Sequence, residues 1–301
     1  ATVVGLERDV VVAEHVAAAH DDDAREGEHR ATHSTRMKDV PALRKSFGYT
    51  PARMFEFDRD TDLVALGPGV FRGRVSDAWN IGPVPNGGYV LSIGAAAVGR
   101  TLEKPDLLTI TGHFLRPAMP GDVRIEVDVA KEGRSYATAS ARMLQGDSEV
   151  LRLLATFGDL GDRGAVELVK GAPPALPPRD TLERREISEP AILQRFDLRL
   201  SERSTRFMSG ERSDDARVSG YVRFADGRPV DVASLPLLAD AFPPPIFHVV
   251  GVGWVPTLEL TVHVRARPES EWLMAEFATR FAFGGHLEED GELWDETGTL
   301  V

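Results

Sequence analysis

One acid of this chain stands in oily surroundings: Asp240, within the run LLADAF that extends from Leu237 to Phe242. A carboxylate enclosed by apolar side chains is costly to ionise, so its pKa rises and it becomes a proton acceptor suited to neutral pH. The same residue at a helix end, exposed or hydrogen-bonded, would be structural, and residue chemistry alone leaves both readings open. A second feature is GPVPNGGY, Gly82 to Tyr89, where Asn86 is followed by two glycines just as a helix begins. Free N–H groups at a helix N-terminus can hold an anion. Alternatively, Gly87 and Gly88 let a helix lie close against a sheet, with Asn86 as a turn residue. No G-K-[ST] follows, which excludes a nucleotide P-loop.

Other routes to chemistry drop out by inspection. The chain has no cysteine, which removes thiol catalysis, cysteine-bound zinc and disulfides. Ser92 is followed by Gly94 but preceded by Val90 where a nucleophile elbow needs glycine. His29 and His33 have the spacing of a metal pair on a helix, yet no third ligand accompanies them, so no metal is expected. A formal net charge of -12 over 301 residues argues against a duplex nucleic-acid binder. A small anionic ligand needs only a few arginines. No apolar run is long enough to span a bilayer, and the N-terminus lacks the order of a signal peptide. The chain reads as soluble and cytoplasmic.

The elements that must position Asp240 and the glycines follow from patterning. Residues 1–50 read as an N-terminal arm, peripheral or disordered, with a short helix over 13–20, a charge run over 21–30 and Met37 as a candidate start. Residues 54–58 and 70–75 alternate as half-buried strands. Residues 89–100 are apolar or small all round, the mark of an enclosed helix. Strands follow over 107–115, 123–129, 135–144 and 149–157, linked by turn chemistry that suits an antiparallel meander. Residues 159–190 form a linker, proline-rich over 171–179. The programme then restarts with strands over 192–200 and 218–224, a buried helix over 232–242, and strands over 258–264, 272–280 and 281–283. Pro236 interrupts that helix and Pro243 to Pro245 stop it.

The restart keeps its spacing. Arg116-Pro117 follows one long strand and Arg267-Pro268 its counterpart; Gly133 and Gly284 each lie sixteen positions beyond the respective proline. Gly146 and Gly298 lie twenty-nine and thirty beyond. Matching turns at matching intervals indicate one helix-plus-sheet unit built twice.

Together these motifs resemble the double hotdog proteins of the acyl-CoA thioesterase II family and its thioesterase-like relatives, from about Phe55 to Val301. The resemblance rests on WNIGPVPNGGY (79–89), FLRPAMPGD (114–122) and EGRS (132–135) in the first half. In the second it rests on LPLLADAF (235–242) and PTLELTVHV (256–264). It implies an α+β fold of two hotdogs, residues 51–158 and 191–301, each an antiparallel sheet wrapped around a central helix and placed side by side. A single undivided sheet, or an Asp240 carboxylate out in bulk solvent, would count against it. It also implies hydrolysis of an acyl-CoA thioester, without a cofactor, by water that Asp240 and Thr257 activate. Thr257 opens a strand and is otherwise an ordinary β-former. A backbone N–H near a central helix N-terminus would hold the oxyanion. The family's third residue, a glutamine on the last strand, would fall beyond residue 301, so the second hotdog reads as truncated there. Without that glutamine the alternative is a non-catalytic hotdog that binds acyl-CoA or an acyl-carrier protein. No histidine has an aspartate five residues before it, which disfavours the hydratase members of the fold. Asn86, Gly87, Gly88, Arg116 and Arg134 are candidates to bind substrate, the arginines through coenzyme A phosphates; Arg265 and Arg267 are further candidates of the same kind. Trp79, Trp254 and Trp272 read as core, and His113, His248 and His263 as ordinary strand or loop residues. Open sheet edges suggest a homo-oligomer.

Overall fold

The computed structural model describes residues 2–5 and 54–301, apart from 162–167 and 185–189. The 13–20 helix, the 21–30 charge run, Met37 and the His29–His33 pair lie outside the described residues. The first half comprises β1 (Thr2–Gly5), α1 (Glu56–Asp60), β2 (Val64–Gly67), β3 (Val70–Val75), the short hairpin β4 (Asn80–Ile81) and β5 (Val84–Pro85), and α2 (Gly87–Thr101). It continues with β6 (Asp106–Phe114), β7 (Gly121–Glu132), β8 (Ala137–Gln145) and β9 (Ser148–Gly158). The second half holds β10 (Phe196–Leu200), α3 (Glu202–Thr205), β11 (Arg217–Phe224), α4 (Leu235–Leu238) and α5 (Phe247–Val250). Its last strands are β12 (Thr257–His263), β13 (Leu273–Phe283) and β14 (His286–Asp295).

Twelve strands form one hydrogen-bonded antiparallel sheet in the order β10-β11-β13-β14-β1-β12-β6-β9-β8-β7-β3-β2. The two halves are therefore joined edge to edge, through the β12–β6 ladder, where Thr261 opposes Thr111. The sheet is continuous, yet its order divides at this seam into two copies of one pattern. Strands β3-β7-β8-β9-β6 run outside-in on one side and β11-β13-β14-β1-β12 on the other. Strand β1 occupies the place in the second copy that β9 occupies in the first, so part of the N-terminal arm belongs to the sheet.

Several expected elements differ. Residues 54–58 do not make a strand: α1 begins after Phe55, with Glu56 and Asp58 in its first turn, where acids favour the helix dipole, and Phe57 buried. Residues 191–195 form a 3-10 turn started by Pro190, which leaves β10 only five residues. β6 pairs with β9 rather than β7, so residues 117–122 are a crossover instead of a hairpin link. β2 and the acidic β14 were not anticipated. The second central helix is much shorter than 232–242: a 3-10 turn over Val232–Ser234 leads into α4, which ends at Leu238. Proline at its first turn removes one N–H donor, and the backbone tightens so that Asp240 N–H and Ala241 N–H reach only three residues back, to Leu237 and Leu238. Asp240 thus lies in the turn after the helix.

α2 is enclosed on nearly every side, with Tyr89, Leu91, Ile93, Ala97 and Val98 almost fully buried. Gly112 and Gly94 leave room for leucine side chains between it and the sheet. The start of α2 crosses the α4 turn so closely that a Cβ on Gly88 would lie 2.8 Å from Asp240 Cβ and 3.0 Å from Leu237 Cα. Those contacts are backbone or near-backbone and cannot rotate aside. Gly88→Ala is therefore expected to destabilise the fold by about 1–3 kcal/mol, read as a lower urea midpoint without a change in the m-value.

Candidate active site

Asn86 organises the site. As the N-cap of α2 its Oδ1 accepts the Tyr89 N–H at 2.8 Å, which satisfies one orphan donor of the first turn. Its Nδ2 donates across the seam to the Asp240 backbone carbonyl at 2.7 Å and to Asp240 Oδ2 at 2.9 Å. The Gly88 N–H donates to the same Oδ2 at 2.8 Å. The acid of one repeat is thus held by the helix start of the other. Both bonds end on Oδ2, and no hydrogen bond to Oδ1 is formed among the described residues.

The donors are themselves anchored. The Asn86 N–H donates to the Trp79 carbonyl at 2.9 Å, and the Trp79 and Tyr89 rings stack with centroids 5.3 Å apart. Trp79 Nε1 donates to Asp60 Oδ2 and the Tyr89 hydroxyl to the Asp60 carbonyl, both at 2.9 Å. Phe57, Phe196 and Phe224 close the cluster, with Trp79–Phe196 centroids at 6.1 Å, so aromatic packing also crosses between the halves.

Asp240 lies deep among protein atoms yet retains part of its accessible area. Burial pushes its carboxyl up to about 6, against the opposing pull of the Gly88 N–H, the Asn86 amide and the Gly87 N–H. The three donors and the positive end of α2 keep ionisation attainable at neutral pH. Glu289, on β14, is a second half-buried acid of this region. Burial, with a further contribution from the Asp240 charge, raises it to about 8.

Other candidates fall in different places. Gly87 faces the Phe114 ring and Asp240 Oδ2, each 3.0–3.1 Å from where its Cβ would be. Asn86, Gly87 and Gly88 therefore serve the Asp240 carboxylate directly. The Gly88 N–H is committed to Asp240 and the next two N–H groups to Asn86, while the Gly87 N–H is directed at the same carboxylate. Thr257 is half-buried at the first position of β12; a register slip against β1 falls just there. Among the described residues its side chain makes no hydrogen bond, to Asp240 or otherwise. Arg116 follows Phe114 at the site's end of β6, exposed, and donates to the Glu149 carbonyl at 3.0 Å. Arg134 lies at the other end of that strand, where its carbonyl accepts from Lys104, roughly 27 Å away along β6. Arg267 is structural: it pairs with buried Asp106 at 2.5 Å and Asp159 at 3.0 Å and so ties the halves together. Trp79 and Trp272 are buried as expected, whereas Trp254 is 44% exposed. It lines an open cleft of about 360 Å³ with Ile81, Gly82, Pro190 and Gly253.

Comparison with known proteins agrees with this architecture. A family model of the acyl-CoA thioesterase N-terminal domain matches residues 75–158, and one of the acyl-CoA thioesterase C-terminal domain matches residues 170–301. The chain belongs to the acyl-CoA thioesterase family and is a thioester hydrolase of the double hotdog class. The crystal structure of a putative thioesterase II from Thermobifida fusca is similar at a TM-score of 0.76 with 28% identity, over 84% of this chain and 96% of that one. A hot dog fold protein of unknown function from Alicyclobacillus acidocaldarius shares the fold, with a TM-score of 0.75 and 24% identity over 82% and 95% of the two chains. An uncharacterized protein of Mycobacterium tuberculosis is 26% identical over 261 residues, 77% of this chain and 88% of its own.

The raised pKa of Asp240 has a consequence for stability. A carboxyl that sits near 3.8 when unfolded and about 6 when folded contributes stability that is complete below 3.8 and lost as pH rises through 6. Asp240→Asn, neutral throughout, escapes that loss. Its stability relative to the parent should improve between pH 4 and pH 7.5 by up to about 3 kcal/mol, measured as the difference in denaturant midpoints at the two pH values.

Proposed function

We propose that the chain hydrolyses an acyl-CoA thioester to a carboxylic acid and free coenzyme A, with Asp240 as the general base. The observation that carries this reading is the carboxylate itself: deep, accessible, clamped on one oxygen by Asn86 and Gly88, and brought to about 6. A base of that pKa is ionised at neutral pH and still accepts a proton readily. Water bound at Oδ1 attacks the carbonyl carbon while its proton passes to Asp240. The tetrahedral oxyanion then collapses, the C–S bond breaks with its electrons on sulfur, and the departing thiolate takes the proton from Asp240. Aspartate is thereby restored for the next turnover.

Arg116, exposed at the same end of the sheet as the carboxylate, enters the proposal as a contact to a coenzyme A phosphate; Arg134 is a strand length away. Thr257 enters the proposal as a second contact to the attacking water. No helix among the described residues is long and apolar enough to cross a membrane. The edge strand β2 exposes Val64 and Leu66, a surface suited to the proposed homo-oligomer.

Free-thiol release from acyl-CoAs of graded chain length tests the reading. The parent should show kcat rising with pH through about 6, as Asp240 ionises. Asp240→Ala should lose on the order of 10²–10⁴-fold in kcat while still binding acyl-CoA. A parent that binds acyl-CoA but releases no thiol would establish the non-catalytic alternative instead.

A further inference from the structure

The inner surface of β13 and β14 carries two polar groups that nothing among the described residues satisfies. Alternation along β14 places Leu287, Glu289, Gly291 and Leu293 on one face. Leu287 and Leu293 are buried, and the Phe277 ring fills the space a side chain on Gly291 would take, so this is the face turned to the core. Asp290 points the other way, into an ion pair with Arg280 at 2.7 Å. On β13, Leu273, Ala275 and Phe277 are buried and Thr279 continues their alternation. The Thr279 hydroxyl is buried with no hydrogen-bond partner. The register of β13 on β14 slips between Ala278 and Phe281, opposite Glu289, so both residues fall at a bulge. Bulges commonly re-aim side chains beside active sites.

Glu289 has neither a hydrogen bond nor an ion pair among the described residues. Of the other acids of its strand, Glu288 is exposed and three are engaged: Asp290 with Arg280, Glu292 with Trp294 Nε1, and Asp295 with the backbone of Thr297 and Thr299. A half-buried carboxyl without a partner is costly and points to a ligand that completes it. Its neighbour is the Asp240 turn. Phe242, two residues after Asp240, lies against Phe277 with centroids 5.2 Å apart, which brings the Asp240 turn onto this part of the sheet. Glu289 is near enough for the Asp240 charge to act on it.

The chemistry of the site has a matching need. A tetrahedral intermediate requires a donor to its oxyanion, and the N–H groups of the first turn of α2 are directed at Asp240 and Asn86. A neutral carboxylic acid can donate; a carboxylate cannot. Two carboxyls whose surroundings separate their ionisation supply one base and one donor. We propose that Glu289, in its neutral form, donates the hydrogen bond that stabilises the oxyanion formed on the thioester carbonyl, an inference that rests on Asp240 as the base. Glu289 then contributes only as charge develops on that oxygen, so its loss lowers kcat and kcat/KM together.

The test uses the full chain, acyl-CoA hydrolysis, and a pair of substitutions. Glu289→Gln keeps a donor at that position and should retain activity within about tenfold. Glu289→Leu removes the donor and should lower kcat by about 10²–10³-fold with KM unchanged. Because leucine replaces an unpartnered carboxyl among apolar side chains, its melting temperature should not fall; Glu289→Ala replaces it if it fails to fold. Full activity in both variants, loss in both, or a change confined to KM overturns the proposal. Loss in Glu289→Leu together with an equal loss of stability assigns a structural role and overturns it as well. If Asp240→Ala is inactive while Glu289→Leu is not, only the Glu289 inference fails. A parent without thioesterase activity overturns both readings.

Discussion

The structure depends on a single juxtaposition, the start of one helix held against an acid from the other repeat. Asn86 performs both halves of this with one side chain, capping α2 through Oδ1 and gripping Asp240 through Nδ2. The glycines that follow make the approach short enough for backbone N–H groups to join. An unclamped carboxylate at this depth would shift toward the neutral acid and cease to be a base. One surrounded by more donors, or by an arginine, would be held fully ionised and too weak to take a proton. Three donors, no cation and partial access to solvent produce the intermediate case.

That balance explains why so much of the chain is devoted to rigidity around the seam. The Trp79–Tyr89 stack, the Asp60 bonds and the phenylalanine cluster contact no substrate in this scheme. They hold Asn86 in place, and a shift of a few tenths of an ångström there would be felt in the Asp240 bonds. Arg267, bonded to Asp106 and Asp159 of the other half, performs a similar task at the far end of the seam strand β6. Continuity of the sheet through β6 and β12 then makes the two halves one body, so the helix start and the opposing turn keep their spacing.

How much of this was legible in sequence varies with the range of the interaction. The duplicated plan was readable because turn glycines recur at equal intervals, and Asp240 was readable because its immediate neighbours are apolar. Asn86 was visible as a residue typical of a turn, but its partner is 154 positions away and no local pattern records that bond. Asp240 was expected on a helix and lies just past one, because Pro236 lets α4 start but the backbone tightens within a turn. Glu289 was hidden by its strand, since HLEEDGELWD reads as an acidic surface. The available signal was the alternation Leu287, Glu289, Gly291, Leu293, which places one glutamate on the apolar side.

Duplication supplies two helices but, among the described residues, one candidate site, and the reason is chemical. Counted from its first residue, the sixth position of α4 and the turn that continues it is Asp240; the sixth position of α2 is Ser92. The Ser92 hydroxyl is buried and donates to the Gly88 carbonyl within its own helix, so it offers nothing across the seam. Conversely, α4 begins with Leu235 and Pro236, which supply neither an amide side chain nor a pair of close-approaching N–H groups. Each copy has kept one half of the machinery: donors in the first, acid in the second. A chain arranged in this way gains nothing from an acid on α2, because an enclosed α2 would bury that charge and its N-terminus is already spent on the acid it faces. The asymmetry between the repeats is therefore what permits a single buried carboxylate to be both solvated enough to ionise and desolvated enough to act.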